Sequence, residues 1–212
     1  MARVLPDTAG LAVLDPRLPR PGQLFPVEEQ AIAHAVPTRR DAFIAGRVAA
    51  RSAMTDIGLT PAPIPMGPDR APVWPAGVIG SISHCAALCV AVVARAGDIA
   101  ALGIDVEKAT PLARDLWNEI LRPEERAWLE RQPAADRGLH AKEIFSAKEA
   151  IYKAIYPQER RILEFHEIAL SPNAGGFTAR RTGPGDPPPP VQVVPLAGGV
   201  IASLALALPG RA

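Results

Sequence analysis

Apolar residues recur at helical spacing over two long stretches of this chain, and shorter strand-like runs come after each of them. Pro26-Val27-Glu28-Glu29 opens a short helical segment that Pro37 closes. A long helix is then predicted from about Arg39 to Ile57, with Thr38 and Asp41 as a capping-box-like start and Gly58 as its stop. The second half repeats the plan. Pro123-Glu124-Glu125 opens a segment closed by Pro133, and a longer helix runs through Tyr156 to a stop at Pro157. Strands are predicted at Gly80–Ser83, Leu88–Arg95 and Ala100–Glu107 in the first half. The second half has Glu167–Leu170, Phe177–Arg181, Val191–Leu196 and Val200–Leu208. Ala96-Gly97-Asp98 and Gly198-Gly199 read as hairpin turns, and the run Thr182–Pro190, with four consecutive prolines, reads as a stiff exposed loop.

This faint duplication sets Phe43, Arg47 and Arg51 in the same relative places as Phe145, Glu149 and Lys153. The expected fold class is therefore α+β. Two similar halves, residues 1–102 and 103–212, each pack a long helix on a small antiparallel sheet and form an intramolecular pseudo-dimer with the active cleft between them.

Composition narrows the function. A chain of 212 residues that is 48% hydrophobic can bury a core, and 23 Lys plus Arg against 22 Asp plus Glu leaves a net charge of +1. Nothing in that balance points to nucleic acid or to a membrane surface. Met1–Gly10 has no basic start followed by an apolar run, and the apolar stretch after Cys85 is interrupted by Arg95 and Asp98, so neither secretion nor a membrane span is expected. Cys85 and Cys89 stand four apart with no second pair, which reads as reduced core thiols in a cytoplasmic protein.

Chemistry concentrates in two segments. In the strand-like Gly103-Ile104-Asp105-Val106-Glu107, alternation points Asp105 and Glu107 the same way, so two carboxylates converge. In the helix-like Phe145-Ser146-Ala147-Lys148-Glu149-Ala150-Ile151-Tyr152-Lys153-Ala154, Glu149 and Lys153 share a face with Lys148 beside them. Three hard carboxylates with flanking ammonium groups suit magnesium facing a phosphate. Taken singly, such a strand pair is usually a solvated face and such a helix pair usually a surface ion pair.

Both segments together, in this order, resemble the signatures of the 4′-phosphopantetheinyl transferases. A third block, Trp74-Pro75-Ala76-Gly77-Val78-Ile79-Gly80-Ser81-Ile82-Ser83-His84-Cys85, is similar to one found in the larger pseudo-dimeric members that serve siderophore, peptide and polyketide synthases. The internal duplication makes a monomer sufficient, and the resemblance, which covers residues 38–156, implies transfer of 4′-phosphopantetheine from coenzyme A to a serine of an apo acyl, peptidyl or aryl carrier protein. It implies magnesium held by Asp105, Glu107 and Glu149, with Glu149 as base and Lys153 and Lys148 stabilising the departing 3′,5′-adenosine diphosphate. Arg39, Arg40 and Arg47 fall where the family places its 3′-phosphate ligands, with Arg51 a weaker match. His84, helped by Ser83, falls on the diphosphate.

Carrier recognition is expected from Leu121, Arg122, Trp128 and Leu129, of which Trp128 and Leu129 read equally as core. Two rival readings use the same residues. One is a non-catalytic module that binds coenzyme A or a carrier, and the other is a magnesium-dependent phosphohydrolase.

Overall fold

The computed structural model describes residues 5–18 and 23–209, so Met1–Val4 of the N-terminal segment, where no leader is expected, lie outside the described residues. Two compact units result. One runs from the start of the chain through Leu102 and includes the tail from Leu208; the other is Gly103–Ala207.

The first unit contains β1 (Ala9–Leu14), α1 (Pro26–Gln30), α2 (Pro37–Asp56), β2 (Val78–His84) and β3 (Cys89–Arg95). Its sheet has the order β1-β3-β2, antiparallel throughout, with β3 buried along Cys89–Ala94. Helix α2 lies on that sheet through a face of small residues. Ala49, Ala50, Ala53 and Met54 close a cluster with Ala12, Ile64, Ala91 and Val93.

Pro37 opens α2 as its first residue, with Val36 at the N-cap, instead of closing the preceding segment. Thr38 and Asp41 thus lie inside the helix and form no cap. Gly58 ends it as expected: at φ +69 it lets Gly58 N donate to Thr55 O and Leu59 N donate to Met54 O, the paired bonds of a Schellman stop.

The second unit holds β4 (Ala101–Lys108, entered from the first unit's last residues), α3 (Trp117–Ile120), α4 (Pro123–Glu130), α5 (Arg137–Glu159), β5 (Ile168–Asn173), β6 (Gly176–Arg181), β7 (Val191–Leu196) and β8 (Val200–Ala207). The sheet order is β4-β8-β7-β6-β5, and α5 packs on it. Three expectations need correction. Strand β4 joins β8 and not the strands of the first half, so Ala96-Gly97-Asp98 links two sheets instead of closing a hairpin. Pro157 lies inside α5, because losing one amide donor so near the end leaves two more helical residues before Arg160 turns left-handed at φ 51. Within the proline loop, Pro188 and Pro189 are buried while the rest is largely exposed.

Both units build the same core motif, at a register that helical periodicity alone does not give. In the first, a Cβ on Gly10 of β1 would lie 1.9 Å from Ala53 O of α2; in the second, one on Gly103 of β4 would lie 2.0 Å from Ala150 O of α5. Strand β1 therefore matches β4, and Gly10-Leu11-Ala12-Val13-Leu14 matches Gly103-Ile104-Asp105-Val106-Glu107. Sheet orders β1-β3-β2 and β4-β8-β7 then correspond, and β5 and β6 extend the second sheet. Along the helices Ala53 matches Ala150, which pairs Arg51 with Lys148 and sets Ser52, not Arg47, opposite Glu149.

No side chain fits at either glycine without moving a helix. Gly10→Ala and Gly103→Ala are each expected to cost about 1–3 kcal/mol or more, read as a lower urea midpoint at unchanged slope.

Candidate active site

Close approach of β4 to α5 brings the acids of the strand against the charged stripe of the helix. Asp105 is 4% exposed, and Glu107, two residues on, emerges on the same strand face with a side chain 28% exposed. Opposite them α5 presents Lys142, Phe145, Glu149 and Lys153, whose spacings of three, four and four lay them in one stripe. Lys153 Nζ donates to Asp105 Oδ1 at 2.6 Å, and Lys142 Nζ donates to Glu107 Oε2 at 3.0 Å. The Lys142 ammonium also sits 5.3 Å from the Phe145 ring centroid.

Burial pushes the Glu149 carboxyl above its ordinary value; Lys153 pulls it back, and the charges of Asp105 and Glu107 push it further up. The three acids are thus linked electrostatically through Glu149. They do not, however, gather on one point. Among the described residues no three His, Cys, Asp or Glu side chains stand together as a metal-holding group. Asp105 and Glu107 each turn to a lysine of their own.

Lys148 differs from the expectation most sharply. Its side chain is 1% exposed, and its ammonium donates to Ile120 O at 2.8 Å, Glu125 Oε2 at 2.8 Å and Phe165 O at 3.0 Å. An ammonium has three donors, so none is left for a leaving group. Burial lowers its pKa from the ordinary lysine value against the pull of Glu125.

The other residues expected to meet phosphates lie in the first unit. Arg39 and Arg40 are exposed at the start of α2, whereas Arg47 is only 6% exposed. Arg47 Nε donates to Ile64 O at 2.7 Å, and its guanidinium stacks 4.1 Å from the Phe43 ring centroid. Desolvation lowers its pKa to about 10; Glu28 opposes that shift, and the nearby charges of Arg51 and Arg39 add to it. Arg51 itself is committed to Glu28, at 2.9 Å. At the end of β2 Ser83 is buried and His84 exposed. Cys85 and Cys89 are free thiols. Of the residues expected to meet a carrier, Leu121 and Leu129 are core, at 1% and 0% exposed. Arg122 donates to Glu124 Oε1 at 2.6 Å and to the carbonyl of His166.

Comparison with known proteins decides the family. Residues 27–94 match a family model described as the 4′-phosphopantetheinyl transferase N-terminal domain, and residues 101–208 match that of the 4′-phosphopantetheinyl transferase superfamily. The chain belongs to this superfamily. It is 44% identical over 165 residues to 4′-phosphopantetheinyl transferase Svp of Streptomyces mobaraensis, covering 76% of this chain and 67% of that one. It is 40% identical over 188 residues to 4′-phosphopantetheinyl transferase PptT of Mycobacterium tuberculosis, covering 85% and 81%. Enterobactin synthase component D of Escherichia coli is 40% identical over 129 residues, 58% of each chain.

Sequence reasoning missed two members of this charged region. Lys142 could have been found, since it stands seven residues before Glu149 on the same helix stripe. Glu125 could not, because it meets Lys148 only through the packing of α4 on α5.

The raised carboxyl of Glu149 has a consequence for stability. A folded chain that holds a proton where the unfolded chain has lost it is most favoured below the unfolded pKa, and loses that advantage as pH climbs through the folded one. Glu149→Gln is therefore expected to unfold at a higher urea midpoint than the wild type at neutral pH. The gap should close as pH falls toward the ordinary glutamate value of about 4.3.

Proposed function

We propose that this chain transfers the 4′-phosphopantetheine group of coenzyme A to a serine hydroxyl of an apo carrier protein, leaving holo carrier and 3′,5′-adenosine diphosphate. The supporting observation is the stripe on α5, where Glu149, with a carboxyl biased toward accepting a proton, stands one turn before Lys153 and meets the charges of Asp105 and Glu107 across the strand–helix contact. Serine Oγ attacks the β-phosphorus, the bond from that phosphorus to the bridging oxygen breaks, and the serine proton passes to Glu149 directly or through water.

Asp105, Glu107 and Glu149 would hold magnesium. The donors fit in kind, since hard carboxylate oxygens suit magnesium and the charges of Asp105 and Glu107 both bear on Glu149, while Lys153 and Lys142 now hold the two strand acids. When bound, that ion neutralises diphosphate oxygens and orients them for in-line displacement. Lys153 then faces the charge that develops on the leaving group. Lys142 keeps Glu107 directed toward α5. In the first unit, Arg39, Arg40 and His84 present exposed donors of the kind phosphate oxygens take, and Arg47 retains its guanidinium nitrogens beyond Nε.

Among the described residues no helix is long and apolar enough to cross a membrane. Free Cys85 and Cys89 suit a reducing compartment, and we place the protein in the cytoplasm as a monomer.

Intact-mass spectrometry of an apo carrier with coenzyme A, magnesium and this chain is expected to show a gain of about 340 Da. The gain should vanish with chelator or with a carrier Ser→Ala variant. Glu149→Gln and Lys153→Ala are each expected to lower kcat by about 100-fold or more. Full activity in Glu149→Gln removes the base assignment, and adenosine diphosphate release without carrier redirects the chain to hydrolysis.

A further inference from the structure

One buried ion pair ties the second unit's helices together, and its counterpart does the same in the first unit. Glu125 stands third in α4 and accepts from Arg122 N at the helix start, at 2.8 Å; its other oxygen accepts from Leu170 N of β5 at 2.9 Å. Lys148 of α5 completes the set at 2.8 Å and also holds the carbonyls of Ile120 and Phe165. Five separate segments meet at this pair.

In the first unit Glu28 stands third in α1, accepts from Phe25 N at 2.9 Å and from Ile64 N at 2.8 Å, and pairs with Arg51 of α2. Arg51 also donates to the carbonyl of Gln23. The spacing from acid to cation is 23 residues in both units. Glu28 is 0% exposed and Glu125 is 2% exposed. A helix-start amide, a downstream amide and a long-helix cation thus converge on one buried carboxylate twice in the chain.

The two copies differ in the residue next after the cation. Arg51 is succeeded by Ser52, and the strand equivalent to β4 carries Ala12 and Leu14 where β4 has Asp105 and Glu107. The first unit thus keeps the pair without the acid set, so the pair belongs to the fold and not to phosphate binding. In the second unit Lys148 is succeeded by Glu149. Adjacent helical residues lie about 100° apart around the axis, so anchoring Lys148 toward α3 and α4 fixes the direction in which Glu149 points.

We infer that Lys148 and Glu125 are positioning residues that set the rotation of α5, aiming Glu149 and Lys153 at β4, and that Lys148 is not a substrate cation. This rests on the proposed roles of Glu149 and Lys153.

The test uses the full chain with coenzyme A and an apo carrier, following transfer by intact mass and coenzyme A binding by calorimetry with and without magnesium. Lys148→Met is expected to lower kcat about 100-fold, the scale of a small misplacement of reacting groups, while KM and Kd for coenzyme A stay within about 2-fold. Lys148→Arg recreates the Arg–Glu pairing of the first unit and is expected to recover kcat to within about 10-fold of wild type. Glu125→Asp keeps the charge but shortens its reach, and should lower kcat about 10-fold at unchanged KM; it carries the test if Lys148→Met does not fold. A rise of about 10-fold in Kd for coenzyme A with kcat retained would make Lys148 a substrate ligand and overturn the inference, as would unchanged kcat in Glu125→Asp or folded Lys148→Met. A wild-type chain that modifies no carrier instead overturns the functional reading beneath it.

Discussion

Much of the second unit's chemistry depends on a contact with room for a hydrogen but not a methyl group. Gly103 lets β4 come so near to α5 that an added Cβ would lie 2.0 Å from Ala150 O. At that separation the strand side chains two and four residues on meet the helix stripe without intervening core, so Asp105 reaches Lys153 and Glu107 reaches Lys142 directly. A bulkier residue at 103 would push the helix outward, and short carboxylates could no longer span the gap. The glycine in this signature is thus a packing requirement, and the acids after it depend on that packing to act.

Charges buried near this contact are handled in two ways. Glu125 and Lys148 saturate one another and the surrounding backbone, which is how a buried ion pair avoids a large desolvation penalty. Asp105, Glu107 and Glu149 are handled less completely. Two lysines on long tethers answer two of the acids, and the third responds to burial and to its neighbours by holding its proton more tightly. The acid set carries that electrostatic cost in the folded chain, whereas a pair that only braces helices does not.

The two units show one scaffold with and without the acid set. Strand–helix contact through glycine, buried glutamate at a helix start, and long-helix cation all occur twice. Carboxylates at the two strand positions and on the long helix occur once, because Ala12, Leu14 and Ser52 stand in the equivalent places. The first unit's α2 instead carries Arg39, Arg40 and Arg47, with Arg47 drawn into the core by its bond to Ile64 O.

What the sequence determined by itself was the local content. Helical periodicity marked both long helices, the motifs marked Asp105, Glu107, Glu149 and Lys153, and β7 was bounded correctly as Val191–Leu196 because alternation and turn glycines act over a few residues. Only the tertiary structure decided which sheet received β4, that β1 existed as its counterpart, and that Arg51 corresponds to Lys148. Those depend on partners far along the chain, as with Gly10 against Ala53 and Glu125 against Lys148. Lys148 makes the limit plain. Its place in the motif is the same whether its ammonium faces substrate or core, and only the packing of α3, α4 and β5 around α5 sends it inward, where three acceptors consume its three donors.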